Sequence, residues 1–180
     1  MIFFVVVICV LAALGFGLAS AWSDFKGFTI PNIYSLGVVL SFVLAFVCVS
    51  IFGPETGYFS TWQSHLIAGL GTFVITLILF AVGVIGAGDS KLISAFALWV
   101  GLQNIMGFMF YMALFGGILG ILTLIMKKKT VFPNAKAGSW IERAQSGESA
   151  VPYGIAIAFG SIVGFYHAGY CDWVHLSSFL

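Results

Sequence analysis

Residues 92–126 read LISAFALWVGLQNIMGFMFYMALFGGILGILTLIM, a run of 35 residues without a charged side chain. As one continuous helix this run would be about 52 Å long, at 1.5 Å per residue. The hydrocarbon core of a bilayer is only about 30 Å thick. The run is therefore too long for one crossing and just long enough for two short ones, with the polar pair Gln103-Asn104 as the expected turn.

The rest of the chain has the same apolar character. Of its 180 residues, 61% are hydrophobic and 7% are charged, whereas a soluble domain has about 25% charged residues. This composition excludes a soluble enzyme and a disordered regulator. A nucleic-acid binder needs a basic patch, and the net charge of the chain is only +1. We predict an all-α, polytopic integral membrane protein with a single domain over residues 1–180. Further apolar runs of membrane-spanning length lie at 2–21, 33–52, 66–85 and 151–171.

The basic residues distinguish one crossing of residues 92–126 from two. With two crossings, all seven lie on one side of the membrane, and with one crossing, five of the seven lie on the other side. Cytoplasmic loops carry an excess of Lys and Arg, which favours two crossings. We therefore predict six transmembrane helices, both termini outside and a cytoplasmic loop at 127–150. Residues 2–21 lack a basic flank and exceed the 7–15 residues of a signal-peptide core, so we expect this helix to be retained.

Only six acidic residues occur, and the predicted topology sorts them. Glu55 and Asp172 fall outside, whereas Glu142 and Glu148 belong to the polar inner loop. Asp24 and Asp89 remain, one expected just after the first helix and the other just before the fourth, both at the inner membrane boundary. A carboxylate in such a position is costly, and a functional role is its default interpretation.

Two carboxylates at the same depth and on the same side of the membrane are the residues that an aspartic protease needs. Such a pair shares a proton, because both groups cannot ionise cheaply when they are close together. The ionised group takes a proton from an attacking water molecule, and the protonated group polarises the peptide carbonyl. From the residues alone two other interpretations stay open: Asp89 as a helix N-cap and Asp24 as an ordinary interfacial loop residue.

Three short motifs accompany these aspartates. Gly86-Ala87-Gly88-Asp89 is a GxGD motif with Lys91 two residues later, and Asp24 is followed six residues later by Ile30-Pro31-Asn32. The last apolar run opens with Val151-Pro152-Tyr153-Gly154. In this order and spacing the motifs resemble those of the type IV prepilin peptidase family, membrane aspartic proteases of the GxGD class. The resemblance implies a catalytic pair of Asp24 and Asp89, supported by Gly86, Gly88, Lys91, Pro31, Asn32, Pro152, Tyr153 and Gly154.

The resemblance also implies a substrate and a location. Longer family members carry a four-cysteine zinc insert and also N-methylate the pilin. This chain has three scattered cysteines, so it is similar to the short form associated with Flp (tight-adherence) pili, which argues against methyltransferase activity. The implied partners are a prepilin or pilin-like precursor, cut between its leader and its hydrophobic helix, and membrane lipid, with no nucleic acid. The implied location is the bacterial inner membrane, with the active site facing the cytoplasm. The resemblance implies no cofactor and no metal.

Several alternatives stay open at the level of sequence. Intramembrane carboxylates also serve as proton relays, so a small proton-coupled transporter or channel is the rival function. Lys91 either tunes Asp89 or anchors the helix end by snorkelling. Trp140-Ile141 in the 127–150 loop either lies flat on the membrane or covers the active site. Helix dipoles favour an ionised Asp89 and a protonated Asp24.

Overall fold

The computed structural model describes residues 2–54, 57–129 and 131–172, so Glu55 lies outside the described residues. All regular secondary structure in the described part is helical, as predicted from the composition. Four of its helices are long and apolar enough to cross a membrane, and α6 is a shorter apolar helix. The helices are α1 (Ile2–Gly27), α2 (Asn32–Phe52), α3 (Trp62–Ala81), α4 (Ala87–Lys128), α5 (Trp140–Gln145) and α6 (Tyr153–His167).

Helix α4 is a helical hairpin with a reversal at Gly101, where φ is 67° and ψ is 175°. The rings of Phe96 and Phe108 lie 6.5 Å apart across this reversal, whereas about 18 Å of rise would separate the two residues in a straight helix. The arms 87–100 and 102–128 therefore fold back on each other. The long apolar run does consist of two helical segments, as its length predicted.

The predicted position of the turn, Gln103-Asn104, is wrong, because both residues are helical. The reversal occurs at Gly101, whose positive φ is a conformation that residues with a side chain rarely adopt. The first amide after it is satisfied by α3, since Leu102 N donates to Ser64 Oγ over 3.0 Å. The polarity of Gln103-Asn104 indicated the correct end of the hairpin but not the residue that makes the turn.

Helix α6 packs into the α4 hairpin through its glycines. A Cβ added to Gly164 would lie 3.1 Å from Val100 Cγ1 and 3.3 Å from Phe108 Cβ, and one on Gly160 would lie 2.8 Å from Met112 Cβ. Small residues allow helices to approach this closely in a membrane protein. Along α6 the contacts on arm 102–128 run backwards in sequence, so α6 is antiparallel to that arm.

The boundaries of α3 differ from the apolar run at 66–85. The helix begins at Trp62 and ends at Ala81. Its first turn contains two buried polar residues, Ser64 and His65, and His65 Nδ1 lies 2.9 Å from the carbonyl oxygen of Leu98 on α4. At the other end, the chain leaves the helix before Gly83, which has a φ of 78°. The apolar run misplaced both ends of α3, because hydropathy counts apolar residues and takes no account of the hydrogen-bond partners of polar residues.

The last helix is also shorter than the apolar run at 151–171, since α6 spans Tyr153–His167. The chain turns after His167, and Tyr170 packs back on the bundle, where its hydroxyl donates to the carbonyl oxygen of Trp99 over 2.7 Å. This contact joins the end of α6 to the end of arm 87–100. Apolar residues after His167 therefore belong to a closing turn and not to the helix.

Candidate active site

Four helix termini converge at one end of the bundle, which we call the aspartate end: the last turn of α1 and the first turns of α2, α4 and α6. Three contacts join them. Gly154 N on α6 donates to Asp24 Oδ2 on α1, over 2.7 Å. Lys91 Nζ on α4 donates to Asn32 Oδ1 on α2, over 2.9 Å. A Cβ on Gly88 of α4 would lie 2.9 Å from Ile30 Cβ, in the α1–α2 connection.

Asp24 lies inside α1, so its predicted position in a connection after the first helix is wrong. The helix continues to Gly27, beyond the end of the apolar run at Ala21. Its last turn is held by ring contacts: Lys26 Nζ lies 4.5 Å from the centre of the Trp22 ring. The Asp24 side chain lies on the buried side of this turn and is only 5% exposed.

The backbone of α6 binds the Asp24 carboxylate. Gly154 is the second residue of α6, and its amide is one of those that a helix leaves without an internal partner. A Cβ on Gly154 would lie 2.9 Å from Asp24 Cβ and 3.0 Å from its Oδ2. Only glycine therefore allows this amide to reach the carboxylate.

Asp89 is the third residue of α4, not its N-cap, which is Gly86. Its Oδ2 accepts a hydrogen bond from Gly86 N at 3.2 Å, as the acidic residue of a capping box does. Its Oδ1 is buried and has no hydrogen-bond partner among the described residues. An unsatisfied buried oxygen is costly, which marks Oδ1 as the atom that is available to a water molecule or a substrate.

The two carboxylates lie at the same end of the bundle. Asp24 binds Gly154, Asp89 follows Gly88, and Ile30 packs against both glycines. Each carboxylate has one oxygen fixed by a backbone amide near a helix N-terminus, from Gly154 and from Gly86. Asp24 also lies in the last turn of α1, where the helix dipole opposes ionisation. The assignment of the proton to Asp24 therefore stays a prediction.

Ile30 separates the two parts of the site and was not among the predicted site residues. Its Cβ would lie 2.9 Å from a Cβ on Gly88, and its Cδ1 would lie 3.1 Å from a Cβ on Gly154. Ile30 therefore packs against the glycine that precedes Asp89 and against the glycine that binds Asp24. Its place in the Ile30-Pro31-Asn32 motif was the sequence signal for it.

The remaining predicted supporting residues lie around this pair. Pro31 is the N-cap of α2, with φ of −57° and ψ of 139°, and it directs Asn32 toward Lys91. The Lys91 ammonium contacts the Asn32 amide and not Asp89. Pro152 is the buried N-cap of α6. Tyr153 packs on arm 102–128, where a Cβ on Gly116 would lie 3.3 Å from its Cε1.

Helix α5, within the predicted 127–150 loop, is docked on the protein at the aspartate end. Trp140 is buried, and its Nε1 donates to Thr123 Oγ1 on arm 102–128 over 2.9 Å. Its ring lies 6.2 Å from that of Phe25, one residue after Asp24. The Arg143 guanidinium lies 4.7 Å from the centre of the Phe28 ring. The loop therefore packs beside the end of α1, against Phe25 and Phe28.

The described residues include no group of three or more His, Cys, Asp or Glu side chains able to hold a metal ion. Comparison with known proteins gave one family. The model of the type IV leader peptidase family matches residues 2–121, a range that contains both aspartates but ends before α5 and α6. No curated protein and no solved structure matches the chain significantly.

Proposed function

The chain belongs to the type IV leader peptidase family, and on that premise we propose that it is an aspartic endopeptidase with Asp24 and Asp89 as its catalytic pair. The observation that carries the proposal is that carboxylates from α1 and α4 lie at the same end of the bundle, each with one oxygen held by a backbone amide. The remaining oxygen of Asp89, Oδ1, has no hydrogen-bond partner among the described residues, and we propose that it binds the attacking water molecule.

The proposed reaction is hydrolysis of one peptide bond. The ionised aspartate takes a proton from a water molecule as the water oxygen attacks the peptide carbonyl carbon. The protonated aspartate donates a hydrogen bond to the carbonyl oxygen, on which negative charge develops. When the tetrahedral intermediate collapses, the carbon–nitrogen bond breaks and a proton passes to the leaving nitrogen. The backbone bonds from Gly154 and Gly86 keep the two carboxylates in place throughout.

The proposed substrate is a prepilin of the Flp type, cut between its leader and its apolar helix. The three scattered cysteines support this subtype, as they support a peptidase without methyltransferase activity. We place the protein in the bacterial inner membrane with the aspartate end at the cytoplasmic face. The lysines and the arginine support this orientation, because Lys26, Lys91, Lys127 and Arg143 all lie at or near that end.

Six membrane crossings and a single domain are part of the same proposal. The two arms of α4 support two crossings by residues 87–128, and α6 supports a further one. Arm 87–100 is about 21 Å long at 1.5 Å per residue, so it spans the bilayer only if the membrane thins locally or the loops reach inward.

The test is cleavage of a co-expressed Flp-type prepilin, followed by gel shift and N-terminal sequencing of the product. We expect Asp24→Asn and Asp89→Asn each to abolish cleavage, because each removes one half of the pair. Glu142→Gln is the matched control, since Glu142 is an acidic residue of α5 that accepts a hydrogen bond from Gly138 N and lies outside the pair. Cleavage that persists in either aspartate variant, at normal membrane levels, would rule out the aspartic mechanism. Proton flux into liposomes would then test the transporter alternative.

A further inference from the structure

An apolar groove of about 670 Å³ runs between α2 and α3, with arm 87–100 of α4 as its floor. Helices α2 and α3 both pack on α4 but make few direct contacts with each other, which leaves the groove open between them. Leu36 on α2 and Leu70 on α3 form its walls, and Ser94 and Ala95 form part of its floor. Because Leu36 is 51% exposed and Leu70 is 63% exposed, the groove opens sideways, toward the lipid in a membrane.

The dimensions of the groove match two turns of a helix. Its lining residues cover 32–39 on α2, 66–73 on α3 and 91–98 on α4, and each of these stretches rises about 10 Å. Two turns of a helix about 10 Å wide occupy roughly 800 Å³. A helix would therefore lie in the groove with one side still in contact with lipid.

One end of the groove lies at the aspartate end of the bundle. Lys91 and Asn32 form this polar end of the groove, and they belong to the first turns of α4 and α2. Ser35 lines the same end, and its Oγ is buried without a hydrogen-bond partner among the described residues. A lipid chain offers such a hydroxyl no partner, whereas a peptide offers backbone carbonyl and amide groups next to its cleaved bond.

We propose that this groove binds the first two turns of the substrate's apolar helix, on the carboxyl side of the cleaved bond. The inference rests on the proposed peptidase function and adds the place where the substrate is held. The substrate enters sideways from the lipid and packs between α2 and α3. The stretch just before its first helical turn meets Ser35, Asn32 and Lys91, and the bond beyond it lies beside Asp89.

The first experiment is cross-linking in membranes, in a background with Cys9, Cys48 and Cys171 replaced by alanine. Leu70→Cys places a thiol in the groove. Ile75→Cys is the matched control, because Ile75 is 61% exposed on the same helix but points about 140° away from Leu70. The partner is a prepilin with single cysteines at successive positions after its cleavage site. We expect disulfides with Leu70→Cys at positions three or four residues apart in the first two turns, and none with Ile75→Cys.

The second experiment fills the groove. We expect Leu70→Trp to raise KM for the prepilin about tenfold and to change kcat little, because the side chain competes with substrate binding and not with the reaction. Ile75→Trp should leave both values unchanged. The amount of each variant in the membrane controls for folding.

The outcomes separate this inference from the proposed function. If the parent protein cleaves prepilin but neither Leu70 variant shows the expected effect, the groove is not the substrate site, although the peptidase function stands. Disulfides between two copies of Leu70→Cys would overturn the inference in favour of a dimer contact. A co-purified lipid displaced by Leu70→Trp at unchanged KM would overturn it in favour of a lipid site. A parent protein that cleaves no prepilin would instead contradict the proposed function.

Discussion

At the scale of single residues, the geometry of the site depends on how closely the backbone of one segment approaches the side chains of another. Gly154 brings its amide within 2.7 Å of Asp24 Oδ2, and Gly88 lies against Ile30. Each of these contacts requires glycine, because a Cβ at that position would block it. The glycines named by the sequence motifs therefore have a specific structural reason: they set the distance between the first turns of α4 and α6 and the chain around the aspartates.

Replacing Gly154 with alanine is the sharpest test at this scale. The new Cβ would lie 2.9 Å from Asp24 Cβ, so α6 and the carboxylate must move apart by several tenths of an ångström or more. We expect cleavage of prepilin to fall about 100-fold, as misplacement of a catalytic group by about 1 Å does. The measurement is kcat in detergent-solubilised protein.

The control for this variant is Gly117→Ala on arm 102–128. A Cβ at Gly117 meets nothing within 4 Å, and alanine is favoured over glycine inside a helix by roughly 0.5–1 kcal/mol. The control should cleave at the normal rate and unfold at an equal or slightly higher temperature. Full activity in Gly154→Ala would mean that the amide bond to Asp24 is dispensable.

At the scale of elements, the reversal in α4 determines where the hairpin places its first residues. Gly101 has a φ of 67° and a ψ of 175°, a backbone region occupied almost only by glycine. It also lies against α3, since its Cβ would be 3.2 Å from the His65 ring and from Ser64 Oγ. One backbone conformation thus allows arm 87–100, which carries Asp89, to pack between α3 and α6.

We expect Gly101→Ala to lower the free energy of unfolding by about 1–3 kcal/mol, the usual cost of a residue held in such a conformation. The measurement is thermal unfolding in detergent. Gly107→Ala is the matched control on the same helix, because a Cβ there meets nothing within 4 Å. Equal melting temperatures for the two variants would show that the reversal does not require glycine.

The other elements show why local hydropathy misjudged several boundaries. The sequence predicted a free connection after residue 21, but α1 continues to Gly27, and α5 contacts its last turn through the Phe25–Trp140 ring pair. The α5 helix is itself anchored by the bond from Trp140 to Thr123. Whether Trp140-Ile141 lies flat on the membrane or covers the active site stays a prediction.

At the scale of the whole molecule, the aspartates and the basic residues share one end of the bundle, while the Gly101 reversal lies at the other. Seven basic residues in the chain and a lysine cluster at 127–129 favour a cytoplasmic location for the aspartate end. In the proposed orientation, a substrate cut at this end presents its bond at the cytoplasmic face of the membrane.

This orientation can be measured by labelling single cysteines with a membrane-impermeant maleimide, again without Cys9, Cys48 and Cys171. Gln103→Cys, near the reversal, should label in intact spheroplasts. Lys136→Cys, in the loop near the aspartate end, should label only after the membrane is opened. Both side chains are exposed, so accessibility within the protein does not limit either reaction. The reverse pattern would invert the proposed topology, and labelling of both in intact spheroplasts would contradict two crossings by residues 87–128.

The sequence by itself determined the membrane class, the division of the long apolar run and the two candidate aspartates. These depend on composition, on length against bilayer thickness and on charge, which are sums over neighbouring residues. Only the tertiary structure decided that Gly101 makes the reversal, that Gly154 binds Asp24, that Ile30 lies between the two glycines and that Lys91 contacts Asn32. Such contacts join residues as far as 130 positions apart, and they depend on the distances between packed helices, which no local pattern encodes.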